Sequence, residues 1–300
     1  MASNEKSNLG PRKITSAIFT LPKRNRRRAN SLVFNYIVLI IFTFIAVMPV
    51  SIVFFNSVKN RAQLGVNSIG PIFTDLHWEN FSTAWNNGEF LLTVRNSSIL
   101  VASTVSGLLL LGGMAAYSMR RSDMPGTSFM MMFTLVLSTI PLWLFVVPLL
   151  GLWKQLGLVN NLFGLVIIYI ALNSPFSIFL LRSYMIQIPS DFEDAARVDG
   201  AHDWDIFTKV YMPVVWPGFL ATGLVIALGV WNDFSLAFIF ITEAELYPVT
   251  VNFFRFVQQY SGMDYGLTSA VAVMMIAPVI LIFLLLQRRF VEGLTQGGFK

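Results

Sequence analysis

The chain has 300 residues, of which 55% are hydrophobic and 12% are charged, with a formal net charge of +5 and no cysteine. Soluble domains carry about 25% charged residues, so this composition leaves too little polar surface for a soluble globule. The lack of cysteine excludes disulfides and thiolate chemistry. The composition therefore predicts an integral membrane protein.

The apolar runs predict an all-α integral membrane fold with six transmembrane helices. Thirty uncharged residues separate Asp123 from Lys154, and another twenty-seven separate Lys154 from Arg182. Each run exceeds the ~20 residues that a helix needs to cross a bilayer. The predicted spans are residues 32–55, 98–119, 127–150, 162–181, 214–241 and 267–286. We expect three regions: a basic N-terminal segment, a transmembrane domain and a C-terminal tail, which occupy residues 1–31, 32–290 and 291–300.

Lys and Arg are distributed unequally between the two ends of these spans. Sixteen of the 21 lie before the first span, after the second, between the fourth and fifth spans or after the last span. Because cytoplasmic loops carry the excess of positive charge, both termini and the loop 188–217 are predicted to be cytoplasmic. A basic segment beside a span favours contact with the anionic leaflet, and we expect no nucleic acid partner.

The loop 188–217 is charged and lies between two apolar runs, and its pattern predicts two short helices. Ser190 followed by Glu193 is a capping-box pattern, so a helix is expected to begin at Asp191. Gly200 suits the left-handed position that ends a helix. Apolar side chains then recur at helical spacing, at Trp204, Phe207, Val210 and Tyr211. Helices this short need a surface to pack on, and the charged rim suits a partner protein.

The same loop carries a known motif. Its residues resemble the EAA loop (EAA-x3-G-x9-I-x-L-P) of ATP-driven importer permeases through Asp194, Ala195, Ala196, Gly200, Val210, Met212 and Pro213. The resemblance continues along the chain in the segments 56–59, 95–97, 115–121, 140–142, 231–233 and 287–300. As an ordered set, these segments resemble the permeases of carbohydrate uptake systems, of the type of the second maltose permease subunit.

The resemblance implies a type I ABC importer permease fold, with several passes through a bacterial cytoplasmic membrane. It implies a second homologous permease subunit, two cytoplasmic ATPase subunits and an extracytoplasmic sugar-binding protein as partners. The ATPase is expected to couple through Glu193, Asp194, Ala195, Ala196, Gly200, Phe207 and Pro213. The Glu of the motif is Asp194 here, with Glu193 beside it. The sequence leaves open which carboxylate faces the ATPase.

Polar residues at membrane depth are candidates for the substrate pathway. Trp231 lies fourteen residues beyond Pro217. This is about 21 Å along a helix, still inside the ~30 Å hydrocarbon layer. An indole packs against sugar C–H groups, and an amide both donates and accepts hydrogen bonds. The candidates are Trp143, Asn173, Trp231, Asn232 and Asp233. The alternative for each is packing or anchoring, and for Asp233 it is capping or bridging of helices.

Motifs for catalysis are absent from the sequence. It contains no phosphate-binding loop, no H-E-x-x-H and no G-x-S-x-G, so we expect no enzyme, cofactor or metal, and ATP hydrolysis must belong to partner subunits. A permease for a non-sugar solute would be favoured by many charged pathway residues, of which only Asp233 is present. A membrane enzyme or receptor would need paired titratable groups at membrane depth. The sequence favours half of the translocation pathway of a sugar importer, for an oligosaccharide or related sugar.

Overall fold

The computed structural model describes residues 23–70, 75–120, 125–260 and 264–298, and within these ranges the chain is helical without strands. The chain divides into two units, residues 1–51 and 52–300. The described part of the first unit lies in helix α1 (Lys23–Ser57), which ends in the second unit. Apolar side chains of α1 between Leu32 and Met48 are mostly exposed, a surface that suits lipid or another apolar partner.

The second unit contains the remaining helices. Two short helices, α2 (Arg61–Val66) and α3 (Glu79–Asn87), precede α4 (Phe90–Ser118), α5 (Thr127–Thr139), α6 (Val146–Gln155) and α7 (Leu162–Met185). The loop 188–217 contains α8 (Asp191–Val198), α9 (Asp203–Asp205), a π-helical segment (Ile206–Tyr211) and α10 (Met212–Val214). The last four helices are α11 (Trp216–Asn232), α12 (Ser235–Phe240), α13 (Val249–Tyr260) and α14 (Tyr265–Gly298).

The centre of the second unit is the pair α4 and α7, against which α11 also packs. One apolar cluster lies between these helices and includes Leu100, Leu108, Leu165, Ile168 and Ile226. A second cluster joins the loop 188–217 to the same helices through Tyr117, Leu181, Ile206, Phe207 and Phe219. Gly113 on α4 permits this approach, because an added Cβ would lie only 3.0 Å from the Phe219 ring. The loop is therefore built into the helix core.

Four helical segments in the described ranges are long and apolar enough to cross a membrane: Leu32–Ser57, Phe90–Ser118, Leu162–Met185 and Tyr265–Leu285. They match the first, second, fourth and sixth predicted spans. A fifth is obtained if Asp203–Val214 and Trp216–Asn232, which are bent by 79° relative to each other, count as one span. The structure thus contains four or five apolar spans in its described part, and the count of six stays a prediction.

The prediction of one continuous helix over residues 127–150 is wrong. Helix α5 ends at Thr139, Ile140 is extended with ψ of 124°, and a 3-10 turn (Leu142–Leu144) leads into α6. Pro141 explains the break, because proline disfavours the helical conformation of the residue before it and has no N–H to continue the hydrogen-bond series. The third predicted span is therefore two short helices.

The prediction of one helix over residues 214–241 is also wrong. Helix α11 ends at Asn232, Asp233 is extended with ψ of 124°, and α12 begins at Ser235. The side chain of Asp233 accepts a hydrogen bond from the backbone N–H of Ala237, at 3.1 Å. This bond satisfies a donor in the first turn of α12, as Asp side chains commonly do where a helix begins. Asp233 therefore lies at a break between helices.

Lys59 is fully buried just after α1. Its ammonium donates to the side-chain oxygen of Asn56 at 2.9 Å and to the carbonyl oxygens of Asn67 and Gly70, each at 2.7 Å. Burial lowers the pKa of Lys59 below its ordinary value, because desolvation disfavours the charged form. One side chain thus holds together three positions of the segment 56–70.

Candidate functional site

The loop 188–217 forms the predicted pair of short helices. The first is α8, and the second is the stretch Asp203–Val214, which consists of α9, the π-helical segment and α10. Helix α8 begins at Asp191, as expected, and ends before Gly200, whose φ is +83°. The N–H of Gly200 donates to Arg197 O at 3.1 Å, and the N–H of Ala201 donates to Ala196 O at 2.9 Å. These two bonds form a Schellman motif, which needs a left-handed residue at this position. The predicted left-handed conformation of Gly200 at the end of α8 is confirmed.

The capping box predicted for Ser190 and Glu193 is wrong. Ser190 has helical backbone angles and makes no side-chain capping bond. The carboxylate of Glu193 is turned away from the start of its own helix and forms ion pairs with Arg120 and Arg197. Two guanidinium groups offer this carboxylate positive charge and several N–H donors, whereas the capping bond would offer one uncharged backbone N–H, so the ion pairs prevail over the local bond.

The Glu193 carboxylate lies at the centre of a polar network. Arg120, from just beyond the end of α4, donates to one carboxylate oxygen, and Arg197 donates to the other at 2.9 Å. The Arg120 guanidinium lies 3.7 Å from the Tyr117 ring centroid and 4.6 Å from that of Tyr211. Burial alone raises the pKa of Glu193, but the hydrogen bonds from Arg120 and Arg197 outweigh it and hold the pKa below its ordinary value.

The candidate coupling residues divide between two faces of the loop. The inward face carries Glu193 and Phe207, both buried, and Ala196, which packs against the apolar cluster. The outward face carries Asp194, Ala195, Gly200 and Pro213, all exposed. Large apolar side chains on this loop are exposed as well: Phe192 (56%), Val198 (88%) and Trp204 (55%). The two neighbouring carboxylates therefore have opposite environments, with Asp194 in solvent.

The candidate pathway residues are not brought into one site. Trp231 is 7% exposed, and its indole N–H donates to Met275 O at 3.3 Å. Asn232 is exposed, and its amide donates to Leu228 O at 2.8 Å. Asn173 is half-buried and donates to Tyr169 O at 2.8 Å, whereas Trp143 is 61% exposed. Packing accounts for Trp231, and the side chains of Trp143 and Asn232 are accessible.

Asp233 bridges neighbouring helices. Besides the bond from the α12 backbone, its carboxylate accepts a hydrogen bond from the Tyr169 hydroxyl of α7 at 2.8 Å. Its carbonyl accepts a hydrogen bond from the Thr250 hydroxyl at 2.7 Å. The Asp233 carboxylate is thus hydrogen-bonded to both α7 and α12. This geometry supports capping and bridging of helices, the alternative to substrate contact, as the role of Asp233.

Two residues of these networks had no predicted role. In the sequence, Arg120 is one of the positive residues that set topology, and Tyr169 belongs to an apolar run. A sequence signal exists for neither contact, because Arg120 and Glu193 are 73 positions apart and Tyr169 and Asp233 are 64 apart. The first pair meets where the loop 188–217 packs on the end of α4, and the second where α7 packs on α11.

Comparison with known proteins agrees with this architecture. Residues 108–296 match the family model described as binding-protein-dependent transport system inner membrane component. The chain is 32% identical over 269 residues to a diacetylchitobiose uptake system permease of Streptomyces coelicolor, covering 89% of this chain and 88% of the relative. It is 30% identical to a trehalose transport system permease of Mycobacterium tuberculosis, covering 85% and 93%.

A solved structure has the same fold. A chain of a bacterial ABC transporter that imports alginate, an acidic polysaccharide, superposes with a TM-score of 0.74 at 24% identity, covering 88% of this chain and 98% of that one. The helix core with its built-in polar loop is therefore the fold of an ABC importer permease. The chain belongs to the family of binding-protein-dependent transport system inner membrane components, which are transport proteins of the membrane.

Proposed function

We propose that this chain is one permease subunit of an ATP-driven, binding-protein-dependent importer of an oligosaccharide or related sugar. The substrate class is supported by relatives named for the uptake of diacetylchitobiose, trehalose and arabinooligosaccharides. In this proposal the subunit crosses a bacterial cytoplasmic membrane six times, with both termini in the cytoplasm. It forms half of the pathway with a second, homologous permease.

The proposed energy source is a pair of cytoplasmic ATPase subunits, one of which docks on residues 188–217 of this chain, named the coupling loop from here on. One observation carries this: Phe192, Val198 and Trp204 are exposed on a loop that lies between two membrane spans. These side chains lie beside charged residues on a polar loop outside the apolar helices, which suits cover by a partner protein. Of the two carboxylates we assign Asp194 to the ATPase, because Glu193 is occupied within the chain.

The proposed substrate contacts are Trp143 and Asn232, whose side chains are accessible. Trp231, Asn173 and Asp233 are proposed to support the pathway wall, because they are buried or half-buried and their polar groups are bonded within the chain. The substrate is proposed to arrive on an extracytoplasmic sugar-binding protein. A solved alginate transporter of this fold, with a TM-score of 0.59 and 18% identity, is in complex with a substrate-bound periplasmic protein.

The ATPase assignment is tested by co-purification from membranes. We expect Asp194→Lys and Phe192→Ser each to reduce the amount of ATPase retained per permease, because they reverse a charge and remove an apolar contact on the outward face. Asp199→Lys is the matched control, since Asp199 is also exposed on the coupling loop. Retention of the ATPase at the wild-type level by both variants, with full sugar transport, would contradict the assignment.

A further inference from the structure

We propose that Arg120 and Asn96 are positioning residues at the two ends of α4, and that α4 carries the position of the coupling loop to the turn formed by residues 245–249. This inference rests on the proposed function, because it assumes that the ATPase moves the coupling loop. It adds a defined path between that loop and the opposite end of the subunit. Neither residue touches substrate or nucleotide in this proposal.

The coupling loop is fastened to α4 by a buried ion pair. The side chains of Arg120 and Glu193 are each only 6% exposed. Arg120 also donates to the carbonyl oxygen of Tyr117, at 2.6 Å, and its guanidinium lies against the rings of Tyr117 and Tyr211. Arginine has a planar group that can bond and stack at once, so its orientation here is fixed by several contacts. A displacement of α8 therefore displaces the end of α4.

The same end of α4 is joined to α7. The Nε of Arg182 donates to the carbonyl oxygen of Met119 at 2.7 Å. Below it, the ring of Tyr117 contacts those of Phe207 and Tyr211, with centroids 5.4 and 5.2 Å apart. Because polar and aromatic contacts converge on residues 117–120, at and just beyond the end of α4, this end cannot shift without its neighbours. The α4–α7 pair is expected to move as one body with the coupling loop.

The other end of α4 holds the turn at residues 245–249. Asn96 is fully buried, and its amide donates to the carbonyl oxygens of Glu245, at 2.8 Å, and Tyr247, at 3.2 Å. The neighbouring Ser97 hydroxyl accepts a hydrogen bond from the N–H of Val249 at 2.9 Å. Three backbone groups of the turn thus depend on two side chains of α4. The start of α13 is fixed in the same way.

Helix α4 has 29 residues, so it is about 43 Å long at ~1.5 Å per residue, enough to cross a bilayer. A continuous helix with both ends fastened by buried polar contacts is a rigid element that can transmit displacement. Because coupling between two sites is reciprocal, occupation of the turn by a binding protein would also bias the coupling loop. The predicted result is communication between the two faces of the membrane through this helix.

A distance measurement tests the rigid link in the assembled transporter. The chain contains no cysteine, so Ser118→Cys and Asp199→Cys place two unique spin labels, on the end of α4 and on the C-terminal cap of α8. Both positions are exposed. We expect the interlabel distance to be the same without nucleotide and with bound ATP, and to become nucleotide-dependent when Arg120→Lys is added. A distance that already changes with nucleotide in the Arg120 background would overturn the proposal.

Hydrolysis measurements test the path from the other face. We expect Arg120→Lys and Asn96→Ala to lower the stimulation of ATP hydrolysis by the binding protein on the order of tenfold, a typical coupling factor, while basal hydrolysis per assembled complex is retained. The controls are Lys209→Gln, which breaks an exposed ion pair with Asp205 on the same loop, and Ser98→Ala, beside Asn96. Both controls should keep full stimulation.

The outcomes separate this inference from the proposed function. If the wild-type chain recruits no ATPase, or its hydrolysis does not respond to a binding protein, the proposed function fails and the inference fails with it. If the binding protein stimulates ATP hydrolysis by the wild-type complex, and stimulates the Arg120→Lys and Asn96→Ala complexes to the same extent as wild type, only the inference fails. A purely structural role would lower the yield of complex and leave stimulation per complex unchanged, which also contradicts the proposal.

Discussion

Glu193 and Asp194 are neighbours in the chain, but their side chains lie in opposite environments. Truncation of Glu193 would leave Arg120 buried without its partner, so we expect Glu193→Ala to lower the free energy of unfolding by about 3 to 5 kcal/mol. Asp194 is exposed, and Asp194→Ala should change the free energy of unfolding by no more than about 0.5 kcal/mol. Thermal unfolding of the purified permease measures both. Equal effects of the two substitutions would contradict the assigned environments.

The Glu193 ion pairs should also make stability depend on pH. The folded-state pKa of Glu193 lies below its ordinary value of 4.5. Its stabilising contribution is therefore fully present above pH 4.5 and is lost as the pH falls through the lower folded-state pKa. We expect the stability difference between wild type and Glu193→Gln to be constant from pH 7 to 5 and to shrink below 4.5. A difference that shrinks between pH 7 and 5 would disagree with this sign.

Asp233 offers a second test at the scale of one residue. Its carboxylate accepts from Tyr169 and from the backbone of α12, and an asparagine oxygen could still accept both bonds. We expect Asp233→Asn to lower the free energy of unfolding only slightly. Asp233→Ala should lower it by about 1 to 3 kcal/mol, because the alanine leaves buried donors without acceptors. Tyr169→Phe should remove only one of the bonds. Loss of transport per folded complex in Asp233→Asn, with stability intact, would favour direct substrate contact instead.

The pair of short helices depends on the turn at Gly200. Nothing lies within 4 Å of a Cβ added there, so a substitution acts through its backbone preference alone. We expect Gly200→Val to misplace the second helix, because β-branched residues are strongly disfavoured at positive φ, whereas Gly200→Asn should be tolerated. ATPase retention by the purified permease distinguishes the two. Equal retention by both variants would show that the docking surface does not depend on this turn.

Helices were predictable from the sequence where one local signal decided the structure. Length and apolarity located α4 and α7, and the glycine position located the end of α8. The breaks at Pro141 and Asp233 lie within long, mainly apolar runs, where hydropathy does not register a change of backbone direction. The capping box failed for a different reason: Ser190 and Glu193 have the right spacing, but Arg120, distant in sequence, competes for the same carboxylate.

The orientation of the whole chain is a prediction from charge, and the absence of cysteine makes it directly testable. Asp199 and Glu243 are exposed, on opposite sides of the predicted topology. In intact cells, a membrane-impermeant maleimide should label Glu243→Cys and spare Asp199→Cys, because the positive-inside rule places the coupling loop in the cytoplasm. Labelling of both variants in permeabilised cells is the control for accessibility. Labelling of Asp199→Cys in intact cells would reverse the topology.

The buried, hydrogen-bonded ammonium of Lys59 affects how the lysines of the chain react with an acylating reagent. On the predicted outer face the chain has two lysines, and Lys154 is exposed whereas Lys59 is buried with three oxygen acceptors. An impermeant acylating reagent should therefore modify Lys154 and leave Lys59 as a free amine. Opening of the structure around Lys59 would expose its nitrogen to the reagent, as the nitrogen of Lys154 already is. Acylation of Lys59 would therefore report that the structure around it has opened.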